Sequence, residues 1–349
     1  PEITFLARHV DEKYDEFFGF HSIKNLDHES KRESEGRFFL GMNAGDSSEN
    51  LSLIKEKIDE ADLLIIGGNS FMEISQNQFL RGVSSYSATL ATLSKFCNTP
   101  YALYGVNVVE KIKSEFTKQQ AHFLCQNAIA VTMREQKGKD YLTDIGVDNK
   151  NIHVLGDPVF GMKVPKDHNR IENILNNNKI KFLKKPIIGI GFRHEYWKGD
   201  ESSYYDTNLR LAKLLDEISD VLDCQFFFIP NCTYEHGHKW QDDRLTHREI
   251  VNLMKNKKRA FKIEEKLSVY DTFRMFCLLD MHVSNRRHSC IFAAMNDVPF
   301  LTINVSLEGH LHPLLKELNI PNQLVSLDDM KQFKSLLLQT WENKIPLAN

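Results

Sequence analysis

Apolar residues along this chain gather into short runs, separated by longer stretches in which they recur every three or four positions. The first pattern predicts buried strands and the second amphipathic helices. In the first half, Ala61–Ile66 reads as a strand closing on Gly67-Gly68-Asn69-Ser70. Tyr101–Val106, Ala128–Met133 and Asn151–Leu155 read as further strands, and the clearest helix is expected over Glu110–Asn127. A polar segment, 163–185, follows; its middle, Arg170–Leu175, suits one short helix, and the segment is expected to be a hinge. A second series opens at Pro186–Gly191. It continues with a helix at Tyr205–Leu222, a strand at Gln225–Pro230, a helix at Arg244–Lys255 and a strand at 277–283. A helix from Ser289, a strand at Phe300–Asn304 and a last helix at Leu327–Trp341 complete it.

Strands alternating with helices predict an α/β architecture. With 349 residues the chain exceeds a typical single core. The expected organisation is two Rossmann-like domains facing each other across a cleft, a GT-B-like arrangement. The first spans 1–165 and the second 185–330, with 331–349 as a C-terminal helix and tail.

Composition narrows the classes. A formal charge of −3 gives no overall attraction to nucleic acid or an anionic membrane, so any affinity for anions must be local. No apolar run is long enough to span a bilayer, and no secretory signal pattern is visible. Six cysteines lack C-x-x-C spacing and several sit in apolar surroundings, which favours reduced thiols, a cytoplasmic location and no zinc site.

The segment Ser284–Phe300 carries the strongest chemistry. Arg286, Arg287 and His288 sit where a strand passes into a helix N-terminus, the place where open α/β sheets hold anions. Three cations there repel one another and the helix dipole; a bound phosphate or carboxylate removes both costs. A solvated basic turn is the plainer alternative. In extended chain, Arg287 turns away from Arg286 and His288.

Arg193-His194-Glu195 ends the strand Pro186–Gly191, where an arginine fork can grip an anion. Gly189 and Gly191 are expected to leave open space beside that strand. Gly67 and Gly68 allow close approach of a ligand or serve a tight turn. Arg134 follows its strand directly and has three readings: a ligand contact, a pair with Glu135, or a structural tie over Gly67-Gly68. His236-Gly-His238 with Asp242-Asp243 looks metal-like, yet a mobile loop explains it better and no metal is expected. Trp197 and Trp240 offer stacking faces for a sugar or ordinary packing.

With these residues placed, the chain resembles the polysaccharide pyruvyl transferase family. Ala61–Phe71 resembles its hydrophobic strand and glycine turn. Ala130–Arg134, Tyr141–Val147 and Val154–Phe160 resemble its arginine-strand stretch, and His282–Ala294 with Val298-Pro299 its R-x-H signature. Departures are Asn69 in place of a third glycine and Gly138 in place of a serine. A lysine beyond the last strand has no clear equivalent, with His310 as the stand-in. The family's glycine-bearing opening loop is not visible, and the chain enters a strand directly after Pro1; a missing upstream segment or a divergent first domain would each account for this.

The resemblance implies a GT-B-like fold with the acceptor on the first domain and the donor on the second. It implies transfer of an enolpyruvyl-derived unit from phosphoenolpyruvate to hydroxyls of a surface-polysaccharide sugar or its lipid-linked precursor, with no cofactor and with peripheral membrane association through the acceptor. Arg286 and His288 then match the donor-gripping pair and Arg193 the first strand-end arginine. His288 suits a general acid. Glu195, His194, Asp242 and Asp243 are the candidate bases. The competing expectations are a nucleotide-sugar glycosyltransferase on the same plan and, less favoured, a non-catalytic glycan-binding module.

Overall fold

The computed structural model describes residues 2–7, 10, 12, 15–16, 19–26, 48–68, 70–71, 83–108, 112, 114–193, 201–233, 242–304, 311–326 and 329–343. The chain divides into two compact units, Pro1–Pro158 and Val159–Asn349. Both are α/β and every named strand pair is parallel.

In the first unit, β1 (Thr4–Ala7) pairs with β2 (His21–Lys24) as a separate two-stranded sheet. The main sheet runs β3 (Leu64–Gly67), β5 (Tyr101–Val108), β6 (Ala130–Met133) and β7 (Ile152–Val154), with the short β4 (Ser70–Phe71) beside β5. Each step moves the same way across the sheet, so right-handed crossovers place the connecting helices on a single face. These are Val83–Phe96, Glu115–Asn127 and Gln136–Asp144. On that face Leu103, Val131 and Met133 pack against Leu124, Cys125 and Leu142. The opposite face stays open: Ile65 is 60% exposed, Tyr104 52% and Leu155 72%. Glu115–Asn127 starts later than its periodicity predicted because the Ser114 hydroxyl caps it, accepting the Thr117 N–H.

The second unit holds a continuous six-stranded sheet in the order β10-β9-β8-β11-β12-β13. These are Ala260–Lys262, Gln225–Phe228, Ile187–Gly191, Met281–Ser284, Phe300–Asn304 and Leu324–Ser326. Winding proceeds outward from β8 to β10, then returns past β8 to β11 and continues the other way. Helices therefore cover both faces. Glu201–Leu222 and Asp243–Leu253 lie over Ile190, Phe228 and Val283. Arg287–Met295 and Leu311–Glu317 lie over Phe227, Ile229 and Phe300. Phe226, Phe227 and Phe228 are all fully buried, as a strand covered on both faces requires.

The segment expected as a hinge lies within the second unit, and the short helix expected at its middle is present. Residues 168–177 form a ten-residue helix, His168–Asn177, capped by Asp167, and its Ile171 and Ile174 join Ile180 in the second unit's core. Arg170 grips Asp271 through Nε at 3.1 Å and Nη2 at 2.8 Å. The polar composition hid one buried stripe and a pairing partner far along the chain. The last helix, Met330–Asn343, is likewise no separate tail: Phe333 and Leu337 are fully buried in the same core. Among the described residues no helix is long and apolar enough to cross a membrane.

Candidate active site

The second unit's strand order reverses between β8 and β11, and ligands of doubly wound sheets collect beyond the carboxyl ends of such strands. Gly191 pairs in register with Ser284, so the two chains leave the sheet side by side. Asn285 then staples them together. Its Oδ1 accepts the Arg193 N–H at 2.8 Å, and its Nδ2 donates to the Arg193 carbonyl at 2.9 Å. Asn285 is almost fully buried, and its role was missed because a lone Asn before two arginines looks like ordinary turn chemistry.

Arg286 is the N-cap residue of the helix Arg287–Met295, and His288 lies exposed in its first turn. The Ser284 hydroxyl fixes this entry, accepting the Arg286 N–H at 2.9 Å while donating to the Gly191 carbonyl at 2.6 Å. Strand end, staple and helix start thus set the Arg193 backbone beside Asn285, one residue before Arg286, with His288 in the first turn that follows. Arg287 opens the helix rather than continuing an extended run; it is buried, with Nη2 4.0 Å from the Glu317 carboxylate.

One expectation needs correction. Arg286 has an internal counter-charge: its Nη2 pairs with Asp243 Oδ1, and its Nε donates to Oδ2 at 3.2 Å. Asp243 lies 43 positions earlier in the chain, beyond the reach of a motif reading. It opens the helix Asp243–Leu253 and is 1% exposed. Asp242 caps that helix. Burial alone would raise its carboxyl, but hydrogen bonds from Arg244 hold it below the usual carboxylate range. Both aspartates stand at the start of this helix rather than on a loop, and each is paired with an arginine.

Gly189 and Gly191 are also corrected: the space beside them is filled. A Cβ at Gly191 would lie 2.5 Å from Ser289 Oγ and 2.9 Å from Ser284 Oγ. One at Gly189 would meet Leu279 at 2.4 Å and His282 Nδ1 at 2.7 Å. Behind them, fully buried His282 pairs through Nε2 with Ser289 Oγ at 2.6 Å, and Ser289 accepts Asn231 Nδ2 at 3.1 Å. Burial pushes the His282 imidazole down to about 3 and that of His247 to about 4, so both are neutral at physiological pH.

In the first unit, Arg134 takes the structural place. Its Nη2 donates to the Gly68 carbonyl at 3.3 Å, and its Nε lies 3.4 Å from Asp157. Asp157, rather than Glu135, is the acid facing it. Gly68 has a φ of +70°, which explains the glycine there. At Gly67 a Cβ would meet only ordinary contact, with Tyr104 O at 3.5 Å. His194, Glu195, Trp197, His236, His238, Trp240 and His310 lie outside the described residues. Among the described residues no group of three or more His, Cys, Asp or Glu side chains could hold a metal ion.

Residues 4–306 match the family described as polysaccharide pyruvyl transferase. The chain belongs to that family. This makes it a transferase of pyruvyl groups to polysaccharide. No curated protein matches it.

Among solved structures, the pyruvyl transferase chain is similar to UDP-GlcNAc 2-epimerase from Methanocaldococcus jannaschii. The TM-score is 0.61 at 12% identity, covering 97% of this chain and 83% of that one. It is also similar to the S. aureus MnaA–UDP co-structure, with a TM-score of 0.60 at 13% identity over 96% and 80%. Anabaena HepE in complex with UDP gives 0.53 at 12% identity over 95% and 79%. At such identities the likeness shows the fold alone, two Rossmann-like units of the GT-B class. The transferase's chemistry must be argued from its own strand ends.

Proposed function

We propose that this transferase moves an enolpyruvyl-derived unit from phosphoenolpyruvate to two hydroxyls of a surface-polysaccharide sugar, closing a pyruvate ketal. The supporting observation is the placement of Arg193 just past the end of β8, and of Arg286 and His288 at the start of the helix after β11, on either side of the strand-order reversal. Phosphoenolpyruvate carries a carboxylate and a phosphate. Two arginines and a helix N-terminus supply charge and directed N–H donors for both.

The reaction needs a proton on the donor's methylene carbon. Adding it leaves an oxocarbenium-like centre at the neighbouring carbon, which a sugar hydroxyl attacks. The bond to the phosphate oxygen breaks, inorganic phosphate departs, and the second hydroxyl closes the ketal. One hydroxyl proton balances the new methyl group and the other leaves with phosphate. His288, exposed in the first helical turn, is the candidate acid, since an imidazole N–H can donate to the methylene carbon. The chemistry calls for no redox cofactor. A lipid-linked acceptor would bring the enzyme to a membrane surface peripherally.

Phosphate release from phosphoenolpyruvate with a glycan panel tests the proposal, with mass addition to the glycan as product readout. His288→Ala is expected to lower kcat by at least about 100-fold. Arg286→Lys is expected to raise donor KM by about tenfold, because lysine cannot reproduce the planar fork. Release of UDP from a UDP-sugar, with a glycosyl mass added to the glycan, would instead establish the glycosyltransferase alternative, whose interest comes from the UDP-bound structures sharing the fold.

A further inference from the structure

The Asp243–Arg286 pair poses a problem for the donor reading, on which this inference rests. A carboxylate beside an anion-gripping arginine weakens its pull on the anion. Electrostatics alone would disfavour an acid there.

Geometry points to a different role. A guanidinium has five N–H donors and two edges able to meet a carboxylate or phosphate, one through Nε and Nη2 and one through Nη1 and Nη2. Asp243 occupies the Nε–Nη2 edge. That leaves the Nη1–Nη2 edge, with one N–H donor from each nitrogen, for a ligand. Arg286 is itself held deep, with its side chain 17% exposed. The arginine is therefore fixed in rotation as well as position.

Asp243 is fixed in turn. Its Oδ2 accepts the backbone N–H groups of Asn231 and Cys232, both at 3.0 Å, where β9 leaves the sheet. Asn231 is anchored by its side-chain bond to Ser289, and Ser289 by the fully buried His282 on β11. Gly191 allows this seam to lie against β8, since any side chain there would strike Ser289. The exits of β8, β9 and β11 and the starts of two helices thus converge on one guanidinium.

We propose that Asp243 is the positioning residue of the donor site. It presents the outer edge of Arg286 to the carboxylate or phosphate of the donor without touching the donor, and the Asn231–Ser289–His282 seam holds it in register.

The sign of one substitution separates this from a charge effect. Asp243→Asn removes a negative charge beside the site while keeping the side chain's size. A purely electrostatic role predicts tighter phosphoenolpyruvate binding. Positioning predicts weaker binding, with Kd and donor KM raised about tenfold and kcat changed by less than about threefold. It also predicts non-additivity: adding Arg286→Lys to Asp243→Asn should worsen Kd by less than about threefold, because both remove the same fork. Asp243→Glu should recover part of the affinity.

Titration calorimetry with phosphoenolpyruvate on the full chain, alongside thermal melts, reads all of this. Equal or tighter binding by Asp243→Asn, or multiplying effects in the double variant, overturns the proposal. If Asp243→Asn does not fold, Ser289→Ala takes its place with no charge change; a donor Kd raised about threefold supports the seam and an unchanged Kd overturns it. Wild-type protein that binds no phosphoenolpyruvate overturns the donor reading, and this inference with it. Normal wild-type binding that Asp243→Asn retains overturns the positioning role alone.

Discussion

The two units share an alternating α/β pattern yet differ in how they wind. The second winds both ways from a central pair, so its sheet is continuous and both faces are buried. The first winds one way from β3 to β7, so one face is packed and the other exposes Ile65, Tyr104 and Leu155. Reversal does two jobs at once. It closes the core, and it creates the place between β8 and β11 where two strand ends diverge and a ligand can enter. The candidate donor residues stand at that reversal, and no comparable reversal exists among the first unit's described strands.

Acid should separate the units most strongly. The second unit carries His247 and His282 fully buried and neutral, with pKa values lowered to about 4 and about 3. The first unit's described histidines are not buried. Below about pH 6.5 the unfolded chain binds protons that these two buried rings refuse, so stability is full above that pH and falls as pH drops toward 4. By pH 5 each ring should remove about 2 kcal/mol, about 4 kcal/mol together. Hydrogen exchange at pH 7 and pH 5 checks this; equal loss of protection in both units would contradict it.

Next comes the pair of glycines. Gly191→Ala should cost about 3 kcal/mol and abolish donor binding, because Ser289 and Ser284 leave no room for a Cβ. Gly68→Ala meets nothing within 4 Å and should cost only about 1 kcal/mol, from its positive φ. Urea melts of both variants give the comparison, and equal costs would refute the crowding argument.

How the chain declared itself follows the same division. The buried runs Ile187–Gly191 and Gln225–Phe228 and the Arg286–His288 cluster were readable because each is local: an apolar run, a strand end, cations at a helix start. Asp243 and Asn231 were not readable as partners of that cluster, since their roles depend on strands distant in sequence lying side by side. Gly189 and Gly191 were misread for the same reason; a glycine signals close approach but does not say by what. The short helix around Arg170–Leu175 was readable too, but its place in the core was not, because Ile171, Ile174 and Ile180 are few among many polar residues and only their burial reveals them.

Arg134→Ala should cost the first unit about 2 kcal/mol, by removing the contacts to the Gly68 carbonyl and to nearly buried Asp157. Because the donor residues lie in the other unit, phosphoenolpyruvate affinity should change by less than about twofold. A large loss of donor affinity at full stability would move Arg134 from structure to ligand contact. Smallest of all, Ile65→Lys on the open face should shift stability by less than about 0.5 kcal/mol, whereas Ile66→Ala on the packed face should cost about 3 kcal/mol. Denaturant midpoints decide it; a costly Ile65→Lys would mean that the face is covered in solution.

The account turns on a doubly anionic donor held where β8 and β11 part. Hydrogen exchange read by mass spectrometry, with and without phosphoenolpyruvate, tests this directly. Slowed exchange should concentrate in peptides covering 191–193 and 284–290, and at a donor concentration near the wild-type Kd should be much weaker in Arg286→Lys. No slowing in those peptides, or slowing produced by UDP and not by phosphoenolpyruvate, would contradict it.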